Sequence, residues 1–335
     1  MKALALFSGG LDSMLSMKII SDQNIEVVAL YMDTGFGVDE EKHEVLRRRA
    51  ALAGASLKVV DMRNEYLRDV LFNPKYGYGK QFNPCIDCHG YMFKTALNML
   101  KSENANFIIT GEVVGQRPMS QRRDALFQVK RLADDEDDLV LRPMCAKLLP
   151  PTKPEREGWV DREKLLDISG RDRKPQLALA KEFGFEDFAT PGGGCLLTIE
   201  SFAVKIKDYL KFDKEMRDID VVWLKLGRHL RLIDGAKMII GRDESDNNAL
   251  LAHPNDKFEQ VKFKESDDIV GAVSFISKNA SIADKELAAR LALAYTKASK
   301  DDEFEVGIAN EKFIPKRPDA RLEQPDRSPF GRCAV

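Results

Sequence analysis

The sequence lacks long apolar runs. No stretch approaches the roughly 18 consecutive apolar residues that a membrane helix needs, and the apolar start at residues 1–8 is too short for the core of a signal peptide. Five cysteines in a chain of 335 residues without an export signal do not indicate a disulfide framework. We therefore expect a cytoplasmic protein with no membrane partner, whose cysteines are metal-binding, catalytic or simply buried.

A large net charge is also absent. Lys and Arg total 52 against 54 Asp and Glu, a formal net charge of −2, so any binding of nucleic acid must use a local basic surface. Hydrophobic residues make up 44% and charged residues 32%, which excludes global disorder. The length is sufficient for two ordinary domains.

Apolar runs alternate with helix-like stretches in the first part of the chain. The runs predict strands at residues 2–7, 26–32, 56–62, 106–113 and 139–144. Helical patterns include residues 91–101 and 172–183. Strands that alternate with helices predict an α/β domain with a doubly wound parallel sheet, which we place at residues 1–200.

The pattern changes after residue 200. Strand-like runs at residues 221–226 and 237–240, and a helix whose cap is Ser281 with Asp284 three residues later, predict a second, smaller α+β domain. We assign residues 201–300 to a linker helix and this domain. From residue 301, scattered prolines and arginines predict a poorly ordered tail, 301–335.

A Gly-rich turn follows the first predicted strand and opens a helix. Its sequence is Phe7-Ser8-Gly9-Gly10-Leu11-Asp12-Ser13. Such a turn places backbone N–H groups and a helix N-terminus around an anion, typically a phosphate. The turn lacks the Gly-Lys-Ser/Thr ending of a Walker motif, and Asp12 beside phosphates predicts a bridging Mg²⁺. The alternative is a strand-to-helix turn in which Gly serves the backbone and Ser caps the helix.

Three cysteines have a spacing that suits a soft metal or sulfur chemistry. Cys85 and Cys88 form a Cys-x-x-Cys before a helix, and Cys195 follows a run of three glycines. Three thiolates would leave one iron of a 4Fe-4S cube open to another ligand. A structural zinc site or ordinary turn cysteines are the alternatives. The zinc deaminase signature is rejected, because its His-x-Glu half is missing.

Other candidate residues have two interpretations each. Cys145 follows an apparent strand and is expected to be buried, and Cys333 lies in the predicted tail. His89 is either a ligand or donor near the cysteines or a cap of the following helix. Three arginines either contact phosphate or RNA or belong to a solvated loop: Arg117, Arg122 and Arg123.

The Gly-rich turn resembles the pyrophosphate loop (PP-loop) of the N-type ATP pyrophosphatases, which cleave ATP to AMP and pyrophosphate while they adenylate a substrate oxygen. Turn and cysteines together are similar to the tRNA thiouridine synthases, both 2-thiouridylases and 4-thiouridine synthases. The resemblance implies ATP and Mg²⁺ as cofactors. It assigns nucleotide contacts to Phe7, Ser8, Gly9, Gly10, Leu11, Asp12, Ser13, Met32, Thr110, Gly111 and Gln116.

The same resemblance assigns roles to the cysteines. Cys88 stands at the cysteine of the family's Asn-Pro-x-x-x-Cys segment, and Cys195 matches the later cysteine that carries persulfide. Residues 111–116 are similar to the Gly-Glu-x-x-Gly-Gln of 4-thiouridine synthases. Cys85 is an additional thiol, as in the iron-sulfur-dependent tRNA thiolation enzymes. The resemblance therefore implies Cys85, Cys88 and Cys195 as metal ligands of a 4Fe-4S cluster, and Cys88, Cys195 and Asp12 as catalytic residues.

Residues 226–232 and 235–242 resemble the small RNA-binding domain of NFACT proteins. The resemblance makes five basic residues candidates for phosphate contacts: Arg228, His229, Arg231, Lys237 and Arg242. The alternative is a solvated charged surface on a packing domain.

The expected function is ATP-dependent thiolation of a tRNA uridine, in which a uracil oxygen is adenylated and sulfur then displaces AMP. Its partners would be tRNA and a sulfur donor, either sulfide or a cysteine desulfurase. We expect a metal or nearby cations to lower the pKa of the cysteines. The alternatives are another adenylating PP-loop enzyme, of the amidotransferase or nitrogen-transfer type, and a non-catalytic RNA-binding protein.

Overall fold

The computed structural model describes residues 1–37, 43–189, 194–264, 269–297 and 303–317. The chain forms two compact units that divide between Thr198 and Ile199. Among the described residues no helix has both the length and the apolar character to cross a membrane.

The first unit contains a parallel sheet of five strands in the order β3-β2-β1-β4-β5. The strands are β1 (Lys2–Leu6), β2 (Glu26–Asp33), β3 (Ala55–Asp61), β4 (Phe107–Thr110) and β5 (Val140–Leu141). All four strand pairs are parallel, and Leu6 at the end of β1 lies opposite Leu30 on one side and Thr110 on the other. The predicted doubly wound parallel sheet is confirmed.

Helices cover both faces of this sheet, because alternate residues of β1 enter two different cores. Ala3 and Ala5 pack in the core that includes α1, α2 and α7, while Leu4 packs in the core that includes α4 and α5. The helices of this unit are α1 (Leu11–Ser21), α2 (His43–Leu52), α3 (Arg63–Tyr66), α4 (Cys85–Met99), α5 (Arg123–Leu132), α6 (Lys153–Arg156) and α7 (Lys174–Glu182).

The second unit contains an antiparallel sheet in the order β11-β10-β8-β9-β7-β6. Its strands are β6 (Arg228–Arg231), β7 (Lys237–Ile240), β8 (Phe258–Phe263), β9 (Ser274–Ser277), β10 (Val306–Ile308) and β11 (Glu311–Phe313). Its helices are α8 (Glu200–Phe212), α9 (Asp218–Lys225), α10 (Glu244–Ala252) and α11 (Ile282–Ala294). The predicted second α+β domain is confirmed.

Two elements of the second unit differ from the sequence prediction. The run at residues 221–226 was predicted as a strand, but it lies in α9, where Asp220 accepts the backbone N–H of Arg217 in a capping box. A tail was predicted from residue 301, yet residues 306–308 and 311–313 pair as β10 and β11 and extend the sheet. Cys333 lies outside the described residues.

Candidate functional site

The Gly-rich turn lies at the carboxyl end of β1, the central strand. Phe7 donates its backbone N–H to Leu30 O at 2.9 Å, and Gly9 follows with a φ of +76°. The left-handed backbone favours glycine there, and a Cβ would lie 2.7 Å from Leu46 Cδ2, so that the Leu46 side chain would have to shift. Helix α1 then begins after Gly10, and no side chain caps it. The first N–H groups of α1 are thus left for an anion, as expected of a phosphate loop.

The end of β4 packs directly against the first turn of α1. A Cβ at Gly111 would lie 2.5 Å from the backbone N of Ser13, so only glycine allows this approach. Ser16 Oγ donates to Thr110 O at 3.2 Å, and Ser13 Oγ donates to Gly10 O at 2.7 Å. The predicted residues Thr110 and Gly111 are therefore brought next to the Gly-rich turn.

A chain of polar side chains surrounds Asp12. Gln116 Nε2 donates to Asp12 Oδ2 at 2.6 Å, and Gln176 Nε2 donates to Gln116 Oε1 at 2.9 Å. Arg173 Nη2 lies 3.9 Å from Asp12 Oδ1. Among the described residues, Asp12 Oδ1 and Arg173 Nε are buried atoms without a hydrogen-bond partner. Such atoms favour a bound ligand or ion, and Asp12 is suited to Mg²⁺.

The sequence analysis missed Arg173 and Gln176, because α7 carries no motif that marks them.

Three residues that were predicted to contact the nucleotide have buried side chains. Phe7 and Leu11 pack in the core beneath α1, and Met32 packs in the core on the α4 side.

The two cysteines of the Cys-x-x-Cys lie one turn apart at the start of α4. Asn83 Nδ2 donates to Cys85 Sγ at 3.1 Å. The buried Asp87 between them accepts the backbone N–H groups of Lys75 and Tyr76 at 2.7 and 3.0 Å, which fixes the preceding loop against the helix.

Backbone pairing holds Cys195 close to the start of α4. Gly37, just beyond β2, forms a bridge with Cys195, and Leu196 donates its N–H to Phe36 O at 2.9 Å. Phe82, just before the Cys-x-x-Cys, donates its N–H to Leu197 O at 3.2 Å. The third cysteine is therefore anchored between the end of β2 and the loop before α4.

The three cysteines share one electrostatic environment with Tyr66. Burial raises the pKa of Cys88, and the nearby Cys195 and Cys85 raise it further, while a hydrogen bond from Tyr66 opposes the shift. Burial raises the pKa of Cys195 to about 11, and Cys85 adds to the effect although the N–H groups of Leu197 and Thr198 work against it. Cys85 and Cys195 are thus near enough to Cys88, and Cys85 is near enough to Cys195, to act on these pKa values.

The groups of the protein itself raise the pKa values of Cys88 and Cys195 instead of lowering them. The prediction that nearby protein cations lower these pKa values is therefore wrong. The described neighbours that act on Cys88 are Tyr66, Asp87 and the other two cysteines, and none of these is a cation. Across the described part of the chain, no three His, Cys, Asp or Glu side chains are grouped as ligands of a metal ion. Thiolate sulfur is a suitable ligand for a soft metal, and a bound cation would favour the thiolate form of these cysteines, but the described side chains are not arranged around one metal position.

A buried ionic network connects α4 to the residues after β4. His89 Nδ1 lies 2.8 Å from Glu112 Oε1, and Arg142 Nε donates to Glu112 Oε2 at 2.9 Å. Burial alone would raise the pKa of Glu112, but Arg142 and His89 lower it below its usual value. Cys145 is buried as predicted, and its Sγ donates to Glu112 O at 3.3 Å. His89 thus contacts a carboxylate instead of capping α4.

The segment that leads to Cys195 is also attached to the Gly-rich turn. Ala189 donates its N–H to Gly9 O at 3.1 Å and forms a parallel bridge with Gly10. Asp187 accepts hydrogen bonds from Arg49, whose Nη1 also donates to Gly9 O at 3.3 Å. One backbone segment therefore touches the turn just before it continues toward Cys195.

In the second unit, three of the five basic residues predicted to contact RNA are buried. His229 is completely buried, and burial lowers its pKa well below the usual value. Arg231 and Lys237 both bind the buried carboxylate of Asp208, at 2.7 and 2.6 Å. Arg242 pairs with Asp246 on α10. These contacts stabilise the unit and explain why such residues occur in the motif.

Two family models match parts of the chain. Residues 2–80 match the model of the arginosuccinate synthase N-terminal HUP domain, and residues 227–318 match the NFACT protein RNA binding domain. The fold, the turn and these matches define a HUP domain of the PP-loop type followed by an NFACT-like RNA-binding domain.

Curated relatives are tRNA-specific 2-thiouridylases. The chain is 33% identical over 122 residues to the tRNA-specific 2-thiouridylase MnmA of Sulfurimonas denitrificans, which covers 34% of this chain and 35% of that protein. It is 27% identical over 165 residues to the enzyme of Helicobacter hepaticus, which covers 44% of this chain and 47% of that protein. The chain thus spans less than half the length of these two relatives.

Solved structures give a weaker likeness. A 4-thiouridine synthetase in complex with RNA and ATP is 22% identical with a TM-score of 0.39, over 55% of this chain and 41% of that one. The C-terminal part of a fibronectin/fibrinogen-binding protein from Streptococcus suis is 14% identical with a TM-score of 0.25, over 45% of this chain and 72% of that one.

Proposed function

We propose that this protein is a tRNA sulfurtransferase that thiolates a uridine at the expense of ATP. The observation that carries the proposal is the meeting of Cys85, Cys88 and Cys195 in one environment, in the domain that also carries the phosphate loop. A redox or structural Cys-x-x-Cys would not need the third cysteine. The similarity to tRNA 2-thiouridylases and the NFACT-like domain support tRNA as the substrate.

The first step uses the Gly-rich turn at residues 7–13, which acts as a phosphate loop. The uncapped N–H groups at the start of α1 bind phosphates of ATP, and Asp12 would hold a Mg²⁺ that neutralises phosphate charge. A uracil carbonyl oxygen attacks the α-phosphorus, the bond to the β-phosphate breaks, and pyrophosphate leaves. Arg173 lies beside Asp12 and supplies a positive charge for the developing oxyanions.

The second step uses the cysteines. The terminal sulfur of a persulfide on Cys195 attacks the adenylated carbon and expels AMP, and Cys88 then attacks the remaining sulfur of Cys195. The products are thiouridine and a Cys88–Cys195 disulfide. Hydrosulfide can attack the Cys195 sulfur of this disulfide, which leaves a persulfide on Cys195 and releases the Cys88 thiolate. Alternatively, an external reductant reopens the disulfide, and a cysteine desulfurase then transfers sulfane sulfur from its own persulfide to the Cys195 thiol. Alternatively, Cys85, Cys88 and Cys195 would hold a 4Fe-4S cluster, whose open iron supplies a site for hydrosulfide. We place the reaction in the cytoplasm.

The reaction is tested under anaerobic conditions with purified protein, ATP and unmodified tRNA, and with either sulfide or a cysteine desulfurase plus L-cysteine as the sulfur donor. We expect pyrophosphate release that depends on tRNA, and thiouridine in the digested product by mass spectrometry. Cys195→Ala should abolish thiouridine, whereas the matched variant Cys145→Ala, which changes a buried thiol outside the site, should retain it. Adenylation without thiouridine, but with ammonia or an amine incorporated, would instead identify a nitrogen-transfer enzyme.

The cluster is tested separately. Iron and acid-labile sulfide are quantified after anaerobic purification of the wild type and of Cys85→Ala, Cys88→Ala and Cys195→Ala. Stoichiometric iron and sulfide, lost in all three variants, would support the cluster. Zinc or no metal after reconstitution, with thiouridine still formed, would favour the persulfide on Cys195.

A further inference from the structure

Phe212, the last residue of α8, is a large aromatic side chain left half exposed in the second unit. It is 52% exposed, and it lies outside residues 227–318, which match the RNA-binding family model. A single exposed apolar side chain is common on a protein surface, so the significance of Phe212 depends on the groups that surround it.

The ring of Phe212 is held in place from one side by Arg231. The guanidinium carbon of Arg231 lies 3.8 Å from the ring centroid, which is a stacked cation–π contact. Arg231 in turn cannot move, because its Nε and Nη2 donate to Asp208 and its Nη1 donates to Gly235 O at 2.8 Å. Gly235 also lies beneath the ring edge, where a Cβ would be 3.1 Å from Phe212 Cε1.

A cleft of about 550 Å³ opens beside this ring, entirely within the second unit. This volume is in the usual range for sites that bind small molecules or single nucleotides. Asp234 lines the cleft and offers carboxylate acceptors, whereas Lys278 and Asn279 line it and offer donors. An aromatic face together with acceptors and donors around it is the set of groups that a nucleobase requires.

Exposed lysines accompany the ring. Lys207 and Lys211 lie one turn apart on α8, Lys214 follows the helix, and all three are exposed. Basic side chains that alternate with a stacking aromatic are typical of surfaces that bind single-stranded nucleic acid, because the lysines neutralise phosphates and the ring stacks on a base. The lining of the cleft contains four carboxylates and four cationic side chains, so it offers no net positive charge to a phosphate, whereas the lysines of α8 do. The cleft therefore suits the base and α8 suits the backbone.

We propose that Phe212 and its cleft bind one unstacked base of an RNA, with the free face of the ring stacked on that base. The proposal rests on the proposed tRNA substrate, and it adds a base-stacking position in the helix that precedes the NFACT-like domain. It concerns binding alone and requires no chemical step.

The test measures binding of the full-length protein to a fluorescein-labelled short single-stranded RNA and to a blunt duplex of the same sequence. Phe212→Ala should weaken binding of the single strand about five- to 100-fold, the range of one lost base–aromatic stack, and leave the duplex unchanged. The matched control is Phe127→Ala, which removes a similarly exposed phenylalanine (54%) from α5 and should have no effect. Phe212→Trp should retain binding, and Phe212→Leu should lose it.

Two results overturn the proposal. One is that Phe212→Leu and Phe212→Ala both bind the single strand as tightly as the wild type does. The other is equal weakening for single strand and duplex, which would indicate a backbone contact. If the wild type forms no thiouridine but Phe212→Ala loses RNA binding, the proposed function fails and the stacking site stands. If Phe212→Ala binds RNA and thiolates like the wild type, the stacking site fails and the proposed function stands.

Discussion

His89 Nδ1 lies 2.8 Å from Glu112 Oε1, and this contact ties the helix that carries Cys85 and Cys88 to the segment that follows β4. Glu112 is 2% exposed, and its second oxygen binds Arg142. We expect Glu112→Gln to lower the free energy of unfolding of the first unit by about 3–5 kcal/mol, because it leaves the buried Arg142 without a counter-charge.

The measurement is urea unfolding followed by Trp159 fluorescence in a Trp223→Phe background, so that one tryptophan reports on the first unit. The matched control is Asp124→Asn, which breaks the exposed pair with Arg122 (side chains 60% and 58% exposed) and should cost less than about 1 kcal/mol. Equal small effects of both variants would contradict the structural importance of the network.

Gly111→Ala should impair nucleotide binding. A Cβ there would meet the backbone of Asp12 and Ser13 at 2.5–2.7 Å, and backbone atoms cannot swing aside as a flexible side chain can. The first turn of α1 must therefore shift, at a cost of about 1–3 kcal/mol, and ATP affinity should fall about five- to 150-fold if this cost is borne on binding. Isothermal titration calorimetry with ATP and Mg²⁺ measures the change. Gly307→Ala is the control, because its Cβ would approach another atom only to 3.9 Å; unchanged ATP affinity in Gly111→Ala would refute the contact.

Alkylation of Cys195 in the metal-free protein should keep accelerating well above neutral pH. Burial raises the pKa of this thiol to about 11, and only the thiolate reacts, so the rate should rise about tenfold per pH unit without levelling off near 8.5. Pulsed iodoacetamide labelling with peptide mass spectrometry follows this residue alone, and urea-unfolded protein provides the reference. A plateau near pH 8.5 in the folded protein would show that a cation already acts on Cys195.

The second unit should lose stability in acid through Asp208. Burial works to raise the pKa of this carboxyl, but hydrogen bonds and charge from Arg231 and Lys237 lower it overall. A carboxyl with a lowered folded-state pKa stabilises the fold above its unfolded value of about 3.9, and this contribution is lost as the pH falls through the folded pKa.

Asp208→Asn should therefore be less stable at pH 7 by about 3–5 kcal/mol and lose less on acidification below about pH 4 than the wild type. Urea unfolding at several pH values, followed by Trp223 in a Trp159→Phe background, measures both effects. Glu286→Gln changes an exposed carboxylate of α11 and serves as the control. Parallel pH profiles of Asp208→Asn and wild type would contradict the prediction.

Features that depend on local sequence were predictable. Alternating apolar runs located β1 to β5, and the Gly-Gly turn and the Cys-x-x-Cys located the two parts of the candidate site. Gly111 was assigned by resemblance, and the structure adds the reason, which is its close approach to Ser13.

Features that depend on contacts between distant segments were not predictable. Arg173 and Gln176 belong to the polar chain around Asp12 only because α7 packs beside α1. In the sequence Arg231 and Lys237 look like surface charges, but both are buried because they bind the buried carboxylate of Asp208. The apolar run at 221–226 suits a strand or a helix equally, and the capping box at Arg217 and Asp220 decides for the helix.

The pairing of Ala189 with Gly9 has a consequence for the synthesis of the protein. The phosphate loop is synthesised well before the segment whose backbone binds Gly9 O, because that segment lies near the end of the first unit. Domains fold as units during synthesis, from the N-terminus onward. A nascent chain that has not yet reached Ala189 therefore carries an unfinished loop. The chain becomes able to bind nucleotide at nearly the same point of translation at which Cys195 is added.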